Sequence, residues 1–561
     1  MRRSDKPIFK YCSDHKLSPF CCSDHAAEYS YAAMSLINDL LKGRAFIVLI
    51  ALGLEWILFG YRYFVSGAGL ELVPLVKRYL DSAYLSADYY LNDAMTGGSH
   101  RLVSTVVIGN IAQALGSVEV SMALIFLVVS YTSIWAVMRL AERWSFNKFE
   151  LLFCVISAAV FWYLVIPQYS PGNVTQIHAE LTANHMARVF LYWAILKAAV
   201  GSVYSPILLL CFASLFQPVD ALLAYPIIGF TIVAKKISSA RDVFKILGPL
   251  GACAIGLGLI SVVIVLINHQ LMFVPWDEAE FKKLILLRYP HHYLPETWHW
   301  HVWIFLISFT LIGCYALNVL RERALLYACL GVEILFGIYI LLLNWVPGIW
   351  LYKLQGAKLL WGNYVIWGLA VSVLIAKKVQ QFDMLLRVSN FRKQLVLGAV
   401  SISFIVGAAY LVDAGLSTDL KTKVSRSATL LAGGNYRTAK DYYKAKDIQI
   451  ANWLKDNTPP NALILHAPEL NVVRSVAGRA SVVLNTLAGF SPSLGGEYLR
   501  RREALTDYCL NTESALMALA EKYGAQIIVV KRECGRNFEN DDEWLEVGRD
   551  WLVKRTSIII S

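Results

Sequence analysis

Apolar stretches long enough to cross a hydrocarbon layer about 30 Å thick recur from residue 45 to residue 413. They predict spans near 45–65, 117–138, 149–168, 186–203, 246–267, 301–320, 325–344, 360–376 and 394–413. The stretch 205–234 is apolar throughout except at Gln217-Pro218-Val219-Asp220. It is too long for one plain helix, so it reads as a tight pair of short helices turning at Pro218, which brings the total to about 11 spans. After residue 413 the pattern changes to short amphipathic and strand-like pieces. Asp447–Asn457 reads as a helix stopped by Thr458-Pro459-Pro460, and 499–510 and 513–523 read as helices. Ala462–His466, 480–484, 526–530 and 556–560 read as strands, an alternation that predicts a small α/β domain.

The expected fold class is therefore a polytopic α-helical membrane protein with a C-terminal soluble α/β domain. Its parts are an N-terminal segment (1–44), a transmembrane bundle (45–413) and the α/β domain (414–561). Composition agrees. Apolar residues make up 57% and charged residues 17%, against about 45–50% and about 25% in soluble proteins. This excludes an ordinary soluble enzyme, a disordered chain and a disulfide scaffold.

The net charge of +11 is first a topology signal. Lys and Arg number 21 in 1–44 and the loops 139–148, 235–245, 321–323 and 377–393. They number 8 in 66–116, 169–185, 268–300 and 345–359. The bias places the N-terminus in the cytoplasm and the C-terminal domain outside, with the first apolar run as a signal anchor rather than a cleaved signal peptide. The basic residues form no single soluble face, so nucleic acid is not an expected partner.

Four places carry candidate chemistry. The first outer loop holds Asp81, Asp88 and Asp93 among Tyr84, Tyr89 and Tyr90. Carboxylates beside aromatics suit a general base with a sugar or lipid headgroup against the rings, and equally suit helix caps in a solvated loop. The third outer loop runs Arg288-Tyr-Pro-His291-His292-Tyr-Leu-Pro-Glu296-Thr-Trp-His-Trp-His301, with cations and imidazoles fitted to a phosphate or a proton, or to a membrane interface. Arg188, opening a span after His178, Glu180 and His185, is a phosphate partner or a snorkelling cation. Lys353 and Lys358 form a second basic pair open to the same two readings, and Gln217 and Asp220 line a cavity or cap the turn.

The repeat Cys12-Ser-Asp-His15 and Cys22-Ser-Asp-His25 has a metal-like unit but matches no common finger spacing. Cys509 and Cys534 are a possible disulfide. No Walker A loop, no GxGxxG after a strand and no HExxH occurs, so no nucleotide cofactor is expected, and a divalent metal stays open.

The arrangement resembles the GT-C superfamily of polytopic glycosyltransferases. Tyr84-Leu-Ser-Ala-Asp88-Tyr-Tyr-Leu-Asn-Asp93 falls where such proteins carry a loop-one aspartate, although it lacks a strict Asp-x-Asp. Arg288-Tyr-Pro-His-His-Tyr-Leu-Pro-Glu-Thr-Trp298 and Asn452-Trp-Leu-Lys-Asp-Asn-Thr-Pro-Pro460 resemble stretches of bacterial members. So do Gly478-Arg479 and Glu497-Tyr-Leu-Arg-Arg501. The resemblance implies a bacterial inner-membrane enzyme that moves a sugar from a polyprenyl-phosphate lipid to a cell-surface acceptor, with inversion. It implies Asp88 as the general base, with Asp93 the second candidate carboxylate. Arg188, Arg288, Lys353 and Lys358 would hold the leaving phosphate, His291 and His292 would protonate or orient it, and Tyr89, Tyr90 and Glu296 would bind the substrate. The competing readings are a lipid-linked glycan polymerase, ligase or transporter, or a non-catalytic assembly protein on the same bundle.

Overall fold

The computed structural model describes residues 44–59, 61–62, 69–96, 101–145, 148–164, 170, 181–236, 243–273, 275–288, 294–346, 348–386, 436–437, 443–485, 492–534, 538 and 543–557. The chain divides into two compact units, Met1–Ile50 and Ala51–Ser561. The described part of the first is the start of the helix Arg44–Phe59. All other described elements belong to the second.

Among the described residues, six helical stretches are long and apolar enough to cross a membrane by length and composition. They are Val118–Ala141, Pro218–Lys236, Leu247–Leu266, Trp300–Val319, Arg323–Trp345 and Ile349–Lys378. Four other expected spans stand as shorter helices: Arg44–Phe59, Lys148–Leu164, Ala183–Ala199 and Tyr204–Phe216. The expected span 394–413 lies outside the described residues. The protein is a multi-pass, mainly helical membrane protein with a small C-terminal sheet.

Local sequence explains the helix ends. Thr182 caps Ala183–Ala199 by accepting the His185 N–H at 3.0 Å, and Ser117 does the same for Val118–Ala141 through Val120. Gly116, at φ +71°, lets the chain turn between Leu102–Leu115 and Val118–Ala141. At the predicted break, Gln217 adopts an extended φ between Phe216 and Pro218. Pro218, lacking an N–H, suits the first position of the next helix.

Large rings packed against glycines build part of the bundle's interior. Trp367 and Tyr364 on Trp361–Leu386 are fully buried, and the Trp162 indole donates to the Tyr364 carbonyl at 3.1 Å. Gly313 and Gly368 let neighbouring helices approach Trp367 and Trp162 closely. Ile304, Ile307, Leu311, Ile334 and Ile338 point outward, as lipid-facing positions must.

At one end of the bundle, Glu322 accepts from Arg143 at 2.9 Å, the Trp144 indole at 3.1 Å and Lys235 at 3.3 Å. These residues come from three of the loops that the basic-residue count assigns to one side. The opposite end carries the C-terminal domain.

In that domain a five-stranded sheet has the order β4-β3-β5-β7-β6, with β3 Leu463–His466, β4 Ala480–Ser481, β5 Ile527–Lys531, β6 Leu545–Val547 and β7 Trp551–Arg555. β3 runs parallel to β4 and β5, while β7 runs antiparallel to β5 and β6. A separate two-residue parallel pair joins β1 Tyr61–Arg62 to β2 Tyr436–Arg437. Ile450, Leu454, Ile464, Val473, Val529 and Val553 form the core beneath the helix Ala445–Asn457. β3 is buried along its whole length, as central parallel strands are.

A strand Trp551–Arg555 pairs with the whole of β5, from Lys531↔Trp551 to Ile527↔Arg555, and most of the expected strand 556–560 lies outside the described residues. One sequence expectation shifts. The helix expected over 499–510 runs over Pro492–Ala504, and Asp507 in a left-handed conformation opens a separate turn, Tyr508–Leu510.

Candidate functional site

The loop 66–116 meets the C-terminal domain through charge. Asp88 caps the helix Tyr89–Thr96, its Oδ1 accepting the Leu91 N–H at 3.0 Å. Its Oδ2 stands 3.2 Å from the Arg474 guanidinium, and both side chains are 1% exposed. Arg474 also lies over the Tyr90 ring at 5.7 Å, and Arg501 over Tyr89 at 4.1 Å and Tyr523 at 4.8 Å. Arg501 is held by Glu497 at 2.6 Å and by the Val482 carbonyl at 3.0 Å. Burial pushes the Tyr84 hydroxyl up to about 12, and the Tyr89 hydroxyl rises well above its ordinary value through burial and the Asp88 charge. Both phenols stay neutral across the physiological range.

Asp88 is therefore not presented to solvent as a base. Its charge holds the loop to the domain. Asp93, on the same short helix, is half-buried.

A second group forms where the bundle faces the domain. Lys358, in the 3-10 turn Gly356–Leu360, pairs with Asp220 at 3.2 Å. Arg188 is buried and lies 5.9 Å from the centre of the Trp361 ring. Gln217 is buried close by in sequence, at the helix break. His185, one turn before Arg188, sits 3.4 Å from the Ser130 hydroxyl and edge-on to Phe126. Lys358 and Asp220, 138 positions apart in sequence, thus meet at the helix break.

The remaining expected residues are spread around these groups. Lys353 lies 5.9 Å from the Phe281 ring, and Glu296 is exposed in the turn Pro295–Thr297. Arg288 ends the helix Glu278–Arg288. His291 and His292 lie outside the described residues, as do His178, Glu180 and the Cys12–His25 repeat. Among the described residues no three His, Cys, Asp or Glu stand close enough to hold a metal ion. Cys509 and Cys534 form a disulfide.

No family model matches the chain, and no curated protein does. Solved structures of an Archaeoglobus fulgidus oligosaccharyltransferase are similar to it. The one tethered to an acceptor peptide containing the NVT sequon is 13% identical, covers 88% of this chain and 70% of its own, and gives a TM-score of 0.44. The apo form is 12% identical, covers 87% and 69%, and gives 0.42. The complex with an inhibitory peptide and a dolichol-phosphate is 12% identical, covers 87% and 69%, and gives 0.43.

Three residues of consequence escaped the sequence reading. Arg474 looks like an ordinary surface cation until the fold brings Asp88 against it. Arg479, noted only as part of a Gly-Arg pair, closes the end of the helix Ala445–Asn457. Its guanidinium donates to the Lys455 and Thr458 carbonyls at 2.7 Å and to the Thr458 hydroxyl at 2.8 Å. Glu333 stands alone in the apolar run Arg323–Trp345 and accepts from Asn363 at 3.1 Å. A single carboxylate inside such a run is a signal visible in the sequence.

Proposed function

We propose that the protein is a membrane glycosyltransferase of GT-C type. It moves a sugar from a polyprenyl-phosphate donor to a cell-surface acceptor, on the side of a bacterial inner membrane that bears the C-terminal domain. The observation that supports this most is the group Arg188–Asp220–Lys358. Lys358 pairs with Asp220 inside an apolar bundle, and the Arg188 guanidinium is buried beside Trp361. Charge in such surroundings is costly and is kept where a ligand or cavity meets it. A lipid phosphate sliding in from the bilayer brings the complementary charge, and a guanidinium can hold it through two hydrogen bonds.

In the reaction, the acceptor hydroxyl oxygen attacks the anomeric carbon from the face opposite the phosphate. The bond to the phosphate oxygen breaks, and its electron pair leaves with the lipid phosphate, where Arg188 and Lys358 stabilise it. The hydroxyl proton passes to a carboxylate. With Asp88 taken up by Arg474, Asp93 is the loop-one carboxylate assigned this role. One displacement inverts the anomeric centre and consumes no nucleotide.

The test is sugar transfer in proteoliposomes supplied with radiolabelled polyprenyl-phosphate sugars. Wild type transfers label. Asp93→Asn loses at least about 100-fold of the rate with its fold intact, and Lys358→Gln raises the KM for the donor. Absence of transfer from every donor, or full activity in both variants, overturns the assignment.

A further inference from the structure

A cavity of about 780 Å³ opens in the C-terminal domain, at a place set by the sheet topology. From β3 the chain goes to β4 on one side and later returns to β5 on the other. The connections leaving β3 and β5 therefore diverge, and a crevice opens at the carboxyl ends of these parallel strands. In open α/β sheets ligands bind at this switch point. The cavity lies there. Ala467 to Leu470 follow β3, Lys531 ends β5, and Trp551 begins the antiparallel β7 beside it. The first turn of Ala445–Asn457 opens onto the same space, and Lys283 from the third outer loop borders it.

The polar lining alternates in sign. Lys283 pairs with Glu503, and Arg502 lies 3.6 Å from Glu469. Near-balanced charge disfavours a polyanion. Adjacent carboxylate and cation side chains match the vicinal hydroxyls of a sugar, which both donate and accept. Tyr508 and Trp551 add apolar wall, and their polar atoms are already engaged with the Val529 carbonyl at 2.9 Å and the Lys446 carbonyl at 3.0 Å. Asp507 stands at the rim with φ +57°. A non-glycine residue held left-handed costs about 1 kcal/mol or more and persists where the surroundings require it. The volume falls within the range of small-molecule sites.

We infer that this cavity is a saccharide-binding site taking a neutral di- or trisaccharide portion of a glycan, separate from the charged group in the bundle. It does not depend on the catalytic reading, since an assembly protein would use it equally.

The test is saturation-transfer NMR on the full-length protein in a detergent without a sugar headgroup. The probes are cellobiose, chitobiose, lactose and mannobiose, each at about 10 mM to reach millimolar affinities, with inorganic pyrophosphate as the anion control. At least one disaccharide gains signal. Asp507→Asn, which keeps the left-handed residue tolerable, and Arg502→Gln each lower that signal at least fivefold, while Glu521→Gln does not. Should one of the two variants unfold, the other decides. Binding that persists without any sugar transfer upholds the site while the catalytic reading fails. No disaccharide signal, a signal from pyrophosphate alone, or unchanged signal in Asp507→Asn and Arg502→Gln overturns it.

Discussion

Asp88 and Arg474 are each 1% exposed, so neither charge has water to fall back on. Removing one partner of such a pair strands the other and costs about 3–5 kcal/mol, whereas replacing both by apolar groups is often near neutral. Asp88→Ala and Arg474→Ala should therefore each lower the thermal midpoint and speed proteolysis of the C-terminal domain, and Asp88→Leu with Arg474→Met should recover much of the loss. An activity test on Asp88 alone would confuse chemistry with this anchoring, which makes Arg474→Ala its necessary companion. His466 carries a different prediction. Burial lowers it from its ordinary value near 6.5 to about 4, while it engages the Ala467 carbonyl at 2.7 Å and the Ser481 hydroxyl at 2.9 Å. Between these values the unfolded chain binds the extra proton. The stability His466 contributes is thus full above pH 6.5 and is lost as pH falls through about 4, a loss on the order of 3 kcal/mol. Thermal midpoints of wild type and His466→Gln across that window should differ in slope, with the variant flatter. At this scale the sequence showed which residue types cluster but not which of them meet. Asp88, Tyr89 and Arg501 stood out by pattern, while Arg474 became meaningful only through a partner 386 positions away.

Elements were more legible than contacts, because periodicity is local and partners are not. The break at Pro218 and the stop at Thr458-Pro459-Pro460 both appear where turn chemistry put them. The strand Trp551–Arg555 was not legible because Lys554 and Arg555 break its apolar run, and it is pairing with β5 that makes it a strand. Helix-to-helix spacing was invisible for the same reason. Gly313 of Trp300–Val319 lies so close to Trp367 of Trp361–Leu386 that a Cβ would collide with the indole. The Trp367 ring is fully buried, and in a close-packed interior it can move little. Gly313→Val should cost about 1–3 kcal/mol and lower the unfolding temperature in detergent. Gly337→Ala, with open space around its Cβ on Arg323–Trp345, should leave it unchanged.

On the scale of the whole molecule, two independent sets of contacts divide the loops between the ends of the bundle. Glu322 gathers Arg143 and Lys235 at one end. At the other, Asp88 reaches Arg474, Lys283 reaches Glu503, and the Trp276 ring fills the space over Gly495, so the loops 66–116 and 268–300 both carry the C-terminal domain. The split agrees with the basic-residue count, although that count used no contact. It predicts the outcome of labelling with a membrane-impermeant maleimide in sealed cells, in a background with Cys12, Cys21 and Cys22 replaced by Ser. Glu296→Cys and Glu521→Cys, both exposed on the domain-bearing side, should react from the same side of the membrane. Arg323→Cys, exposed next to Glu322, should react only after the membrane is opened. Opposite behaviour of positions 296 and 521 would break the docking of the domain on the third outer loop. Equal reaction of 296 and 323 would break the two-ended division of charge. Reaction of 323 alone from outside would keep the architecture and invert it in the membrane, moving the proposed sugar transfer to the cytoplasmic face, where a polyprenyl-phosphate donor would have to be met before it crosses the bilayer.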